Sequence, residues 1–204
     1  MRSLHWLAPL LALTVLAPQA FAQEPWRHEG LFVRLEGGLG YLSATANDQG
    51  ASSTASGGAG YLGAALGGAI GENLILYGEI WGMGAPNPNI QIGTSNTTAQ
   101  NTTLNYGGVG LGLGYFFMPS NLFIGVSLDA TRLGVTDSNG NQSDSDVGGA
   151  ASLTLGKQWW VSERTGLGLS LKCIGGGNNN NNNNPNSTTF KTVTGLVTVS
   201  LTYG

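Results

Sequence analysis

Charged residues make up 9% of the 204, against roughly 25% in ordinary soluble domains, so each one is informative. Five of them share a pattern: Arg34, Glu36, Glu79, Asp129 and Lys172 each lie in a run where apolar residues alternate with small or polar ones. All five fall on the small or polar side. Two bases and three carboxylates gathered in a dry interior can relay a proton or an ion. They can also neutralise one another as a fixed plug, because buried charge is tolerated when paired. The plug is the expectation, with Arg34 and Glu79 as a candidate pair and one carboxyl left protonated. Arg132 and Lys191 have the opposite parity and point outward near the ends of their runs. Cations there can hold phosphate oxygens, Arg bidentately, or snorkel along an interface.

Other chemistry is thinly supplied. The two histidines are His5, in an N-terminal leader, and His28, ahead of the first run. A serine hydrolase within the runs would lack its base, and no His/Cys cluster offers zinc ligands. The segment Gly110-Leu111-Gly112-Leu113-Gly114 has neither the spacing of a phosphate loop nor a following helix. Asp137 to Asp144 resembles a calcium loop but lacks its closing Glu, and reads as a solvated turn. Cys173 has no partner and reads as a small apolar strand residue. Asn178 to Asn184 is a low-complexity run, read as a loop. No catalytic residue, cofactor or metal site is expected, and the absence of a basic run excludes nucleic acid.

The elements that carry these residues follow from periodicity. Residues 1–22 read as a signal peptide: a basic start, an apolar stretch from Trp6 to Ala17, and a cleavage site after Ala22. The exported chain then holds 7 basic and 11 acidic residues, a net charge of −4. Residues 23–29 form a periplasmic N-terminal segment, and 30–204 one domain. Gly is 34 of 204, too dense for helices. The period is two instead. Dyad runs occupy 31–42, 59–70, 74–84, 104–117, 121–135, 147–160, 166–174 and 190–203. Most reach the roughly 9–11 residues that a membrane-crossing strand needs. The connections alternate in length. Those at 43–58, 85–103, 136–146 and 175–189 are long, and those at 71–73, 118–120 and 161–165 are short. This asymmetry belongs to transmembrane barrels. The fold class expected is all-β: an eight-stranded antiparallel up-and-down transmembrane β-barrel.

Aromatics cluster at run ends, Phe32, Tyr115, Phe116, Phe117, Phe123, Trp159, Trp160 and Tyr203 at one end, and Tyr41, Tyr61, Trp81 and Tyr106 at the other. Two interfacial belts are expected. With the eight runs, the loop alternation, and segments such as Glu72-Asn73-Leu74-Ile75-Leu76-Tyr77-Gly78-Glu79 and Gly156-Lys157-Gln158-Trp159-Trp160-Val161-Ser162, the chain resembles the small bacterial outer-membrane β-barrel family, the OmpA-like membrane domain. The resemblance covers the leader and 30–204. It departs at the end, where Tyr203 precedes Gly204, and a wall-anchoring role through a further domain is not expected. It implies a non-enzymatic monomer of the Gram-negative outer membrane. Its implied partners are outer-membrane lipids, the assembly machinery and lipopolysaccharide, whose phosphates Arg132 and Lys191 would contact. A structural or surface-interaction role through the outside loops is expected. The alternative is a narrow channel or a carrier of small hydrophobic ligands, which inward glycines would make room for. A secreted β-sandwich would instead turn its apolar faces together.

Overall fold

In the computed structural model, which describes residues 28–48, 51–180 and 188–204, the period-two runs are strands and none of these residues is helical. The leader, residues 23–27 and Asn181 to Asn184 lie outside the described residues. Among the described residues eleven strands form one sheet: β1 (Leu31–Asp48), β2 (Ala51–Gly71), β3 (Leu74–Pro86), β4 (Asn89–Ile92), β5 (Ser95–Thr98), β6 (Thr103–Phe117), β7 (Leu122–Thr136), β8 (Gln142–Asp144), β9 (Gly148–Ser162), β10 (Thr165–Asn180) and β11 (Thr188–Tyr203). Each long strand pairs antiparallel with its neighbour, and β1 pairs with both β11 and β2. Eight strands therefore close into a barrel without an edge, while β4, β5 and β8 lie beyond its rim.

Pairing partners followed once around the barrel run from Leu35 through Ala64, Ile80, Val109, Ala130, Gly149, Gly177 and Lys191 to Thr45, a stagger of ten residues. Closure with stagger tilts the strands, typically by about 35–45°, and eight strands leave a lumen that side chains can fill. Exposed large apolar residues stand on the outer wall of all eight barrel strands, from Leu35 and Leu39 on β1 to Val197 and Val199 on β11. A continuous apolar wall of this kind cannot be left to water. It excludes the β-sandwich, in which those faces would be buried against each other.

The strands are longer than the dyad runs. Residues 43–48 and 51–58, read from sequence as a polar loop, are paired strand continuing β1 and β2 beyond the apolar band. The connection after β3 contains the β4–β5 hairpin, with β4 laid against Ser53–Ser56 of β2. The connection after β10 is strand on both sides as far as it is described. Polar composition mimicked loops at these places because strand rising clear of an apolar band no longer needs an apolar face.

Candidate functional site: a layered lumen and a polar outer face

Inward side chains fill the barrel in three layers. The floor, at the short-turn end, is aromatic: Phe32, Ile75, Tyr77, Phe116 and Phe123. The upper lumen is apolar, with Leu42, Tyr61, Trp81, Met83, Leu104 and Tyr106 among its members. Six of the twelve belt candidates, Phe32, Phe116, Phe123, Tyr61, Trp81 and Tyr106, are therefore buried lumen residues. Their parity already matched that of the small and charged residues beside them, and parity outranks position along a strand. Tyr41, Tyr115, Phe117 and Tyr203 are the exposed outer-wall members. Glycines on β6 make the large rings fit. A Cβ at Gly112 would overlap the Tyr77 ring, and one at Gly114 would overlap Phe123.

The charged layer lies between. Arg34 Nη2 is 2.7 Å from Glu36 Oε1, Lys172 Nζ is 3.0 Å from Glu79 Oε2, and Lys172 Nζ also reaches Glu36 Oε2 at 3.5 Å. The expected pairing of Arg34 with Glu79 is thus corrected: each has a different direct partner, and Lys172 links the two halves. Arg34 also donates to Ser170 Oγ at 3.0 Å and stacks over the Phe123 ring at 4.5 Å. The Tyr61 hydroxyl donates to Glu36 Oε2 at 3.2 Å and accepts from Lys172 at 3.0 Å. Two cations and two carboxylates balance here. Asp129, the fifth candidate, forms no ion pair with these four, although Glu79 and Lys172 act on its charge. It accepts from Ser127 Oγ at 2.8 Å, and Ser127 contacts Ser152 at 2.7 Å. The space left at the charged layer is about 10 Å³, room for about one water.

His28 lies ahead of β1, as expected, yet packs against the floor of the lumen. Its ring stacks on Phe116 (centroids 3.6 Å apart) and on Trp160 (4.7 Å), closing the floor. Its Nε2 is 3.1 Å from Asn121 Oδ1, and its backbone N–H donates to Asn73 Oδ1 at 3.2 Å. Both asparagines sit in short turns with positive φ, 58° at Asn73 and 52° at Asn121, a conformation Asn tolerates better than most residues. The turn residues are thus also the anchors. Burial pushes the imidazole below its ordinary range, against a smaller opposing effect of the Asn121 hydrogen bond. No motif marked His28 in the sequence.

Outside the lumen, Arg132 and Lys191 are both exposed and outward as parity required. They stand on β7 and β11, with β9 and β10 between them, so they make no common site. Cys173 is exposed on the outer wall of β10. Asp137 accepts from the N–H of Asn139 and Asn141 and from Asn141 Nδ2, at 2.8–3.0 Å. Those hydrogen bonds, Asn141 first, hold its carboxyl below the usual range, and they occupy the oxygens that a calcium loop would offer. Asn178 belongs to no loop: it is buried in β10, and its Nδ2 donates to Thr131 O at 2.9 Å.

These features define the class: a closed eight-stranded antiparallel barrel of the small outer-membrane type, with a filled interior and an apolar belt outside. No family model and no curated protein matches the chain. Among solved structures, Neisserial surface protein A is 15% identical and superposes with a TM-score of 0.52 over 85% of this chain and 96% of that one. The outer membrane protein OprG from Pseudomonas aeruginosa is 14% identical, with a TM-score of 0.47 over 89% of this chain and 99% of that one. The outer membrane protein AlkL, seen by solid-state NMR in lipid bilayers, is 15% identical, with a TM-score of 0.49 over 92% and 96%. The likeness at such identities is one of fold.

Proposed function

We propose that this chain is a non-enzymatic, non-conducting barrel of the bacterial outer membrane, with a structural and surface-interaction role carried by the strands and loops beyond its long-connection rim. In this reading the short turns face the periplasm and the long connections face outside, the usual arrangement of such barrels. The observation that carries it is the filled lumen. An aromatic floor, a balanced ion-paired layer and an apolar upper core succeed one another, with about 10 Å³ left at the charged level. Ions need a continuous wet path, and a hydrophobic ligand needs a cavity of its own size. The lipids of the outer leaflet are its first partners, with Arg132 and Lys191 contacting phosphates of separate lipopolysaccharide molecules. Conductance in planar bilayers tests the reading. The wild-type barrel is expected to give no steady current, and sustained ohmic channels that change with Arg34→Ala would replace the plug with a narrow channel.

A further inference from the structure

Where β1 and β2 rise past the apolar band, their outward face turns wholly polar and meets the β4–β5 hairpin. A groove of about 390 Å³ opens there, lined by Tyr41, Ser56, Asn89, Gln91, Asn96 and Thr98 among others. It is built from strands, and its polar groups are amides and hydroxyls. Apart from the Tyr41 phenol, none of these residues is ionisable. Tyr41 stands at one end, 54% exposed, its hydroxyl donating to Ser56 Oγ at 2.9 Å. The strand neighbours of Tyr41 are Gly195 on β11 and Gly58 on β2. A Cβ built on either would meet nothing within 4 Å. No side chain therefore stands beside Tyr41 at its paired position on either neighbouring strand, and glycine in a strand interior often marks a close approach by a ligand. At the other end Asn89 accepts from Thr98 Oγ1 at 2.9 Å, while the Asn96 amide makes no side-chain hydrogen bond among the described residues.

We propose that this groove binds a neutral saccharide, the hexose portion of a glycolipid in the surrounding outer leaflet. A sugar ring presents a C–H face, which packs on an aromatic ring, and a rim of hydroxyls, which pair with amides and hydroxyls that both donate and accept. A phosphate or an acidic sugar would call for Arg or Lys, and the groove lining has neither. The leaflet is the source because the groove faces sideways, immediately above the apolar wall, at the height where glycolipid sugars pack against a barrel. Tyr41 fixes the stacking position, and the β4–β5 hairpin supplies the polar rim. The proposal rests on the outward placement of the long-connection end.

Two lipopolysaccharide probes test it on the refolded barrel in micelles, one with a neutral hexose core and one truncated to lipid A and its acidic sugars. Wild-type protein is expected to bind the first about tenfold more tightly. Tyr41→Ala should erase that preference, a loss on the scale of one aromatic contact, and Tyr41→Phe should keep most of it. Gly195→Val, which walls in the ring without removing it, should act like Tyr41→Ala. Retained gel-shift behaviour shows that each variant is folded. Equal binding of the two probes by wild type, or an unchanged preference in Tyr41→Ala, overturns the saccharide site. Separately, Asn96→Cys in a Cys173→Ser background should react with a membrane-impermeant maleimide on intact cells. Failure to label overturns the outward orientation and the proposal with it, whereas labelling with no hexose preference overturns the saccharide site alone.

Discussion

Lys172→Met isolates the charge at the centre of the lumen, because Met retains most of the stem volume and loses only the ammonium. Lys172 Nζ lies 3.0 Å from Glu79 Oε2, 3.5 Å from Glu36 Oε2 and 3.0 Å from the Tyr61 hydroxyl, and its side chain is 2% exposed. Glu36 would still hold Arg34 at 2.7 Å. Glu79 would have no cation in ion-pair range among the described residues. The gross attraction at 3.0 Å is about 5 kcal/mol at an effective dielectric near 20, and the desolvation of both groups offsets much of it. Deleting one partner leaves the desolvation of the other uncompensated, so a loss of about 3–5 kcal/mol is expected. Adding Glu79→Gln removes the stranded charge and should restore part of this, with a coupling of about 1–3 kcal/mol. Arg34→Ala combined with Glu79→Ala joins residues that share no ion pair and should couple less. Urea unfolding in lipid vesicles, followed by tryptophan fluorescence and by the gel shift of heated against unheated protein, measures all these variants. A loss below about 1 kcal/mol for Lys172→Met, or equal coupling in the two double variants, would refute the network as described.

Three further outcomes are expected. Leu111, 68% exposed on the outer wall of β6, should cost about 2–4 kcal/mol when replaced by Arg near mid-membrane; vesicle folding as stable as wild type would mean that this face does not meet lipid. His28 is held below its ordinary pKa of 6.5, so the unfolded chain binds that proton more tightly than the barrel does. The stability contributed by neutral His28 is therefore fully present above about pH 6.5 and is lost as the pH falls below it. Unfolding titrations from pH 8 to pH 5 should show this slope, and His28→Phe, which keeps the stacking, should flatten it; an equal slope in both proteins would remove His28 as its source. Finally, Arg132→Ala with Lys191→Ala should refold as well as wild type in phospholipid alone but gain less from added lipopolysaccharide, and an undiminished gain would leave both residues as interface cations without a phosphate role.

Much of this molecule is legible from the chain alone because strand geometry is strict. Successive side chains alternate across a sheet, so parity alone sends Arg34, Glu79, Asp129 and Lys172 inward and Leu111, Arg132 and Lys191 outward, and the structure places each of them so. Eight such runs with one apolar face, joined by connections of alternating length, leave a closed barrel as the natural way to satisfy every backbone group in lipid. Parity does not say which inward residues meet. That depends on how far each strand slides against the next, and the ten-residue stagger summed around the barrel sets the heights. It brings Lys172 on β10 to Glu79 on β3 across the lumen and leaves Asp129 hydrogen-bonded to Ser127, whereas Arg34 and Glu36, two apart on one face of β1, meet without any register. Parity also sorts the aromatics: Tyr41 and Tyr61 both lie near the same end, and their opposite parity makes one a wall residue and the other a lumen residue, while only packing sets Tyr61 against the ion pairs. His28 and the β4–β5 hairpin had no periodic signal, since their places come from rings, turns and strand edges distant in sequence. Alternation is local and can be read from consecutive residues, whereas register, closure and docking are decided by contacts between strands far apart in the chain, which exist only once the barrel has formed.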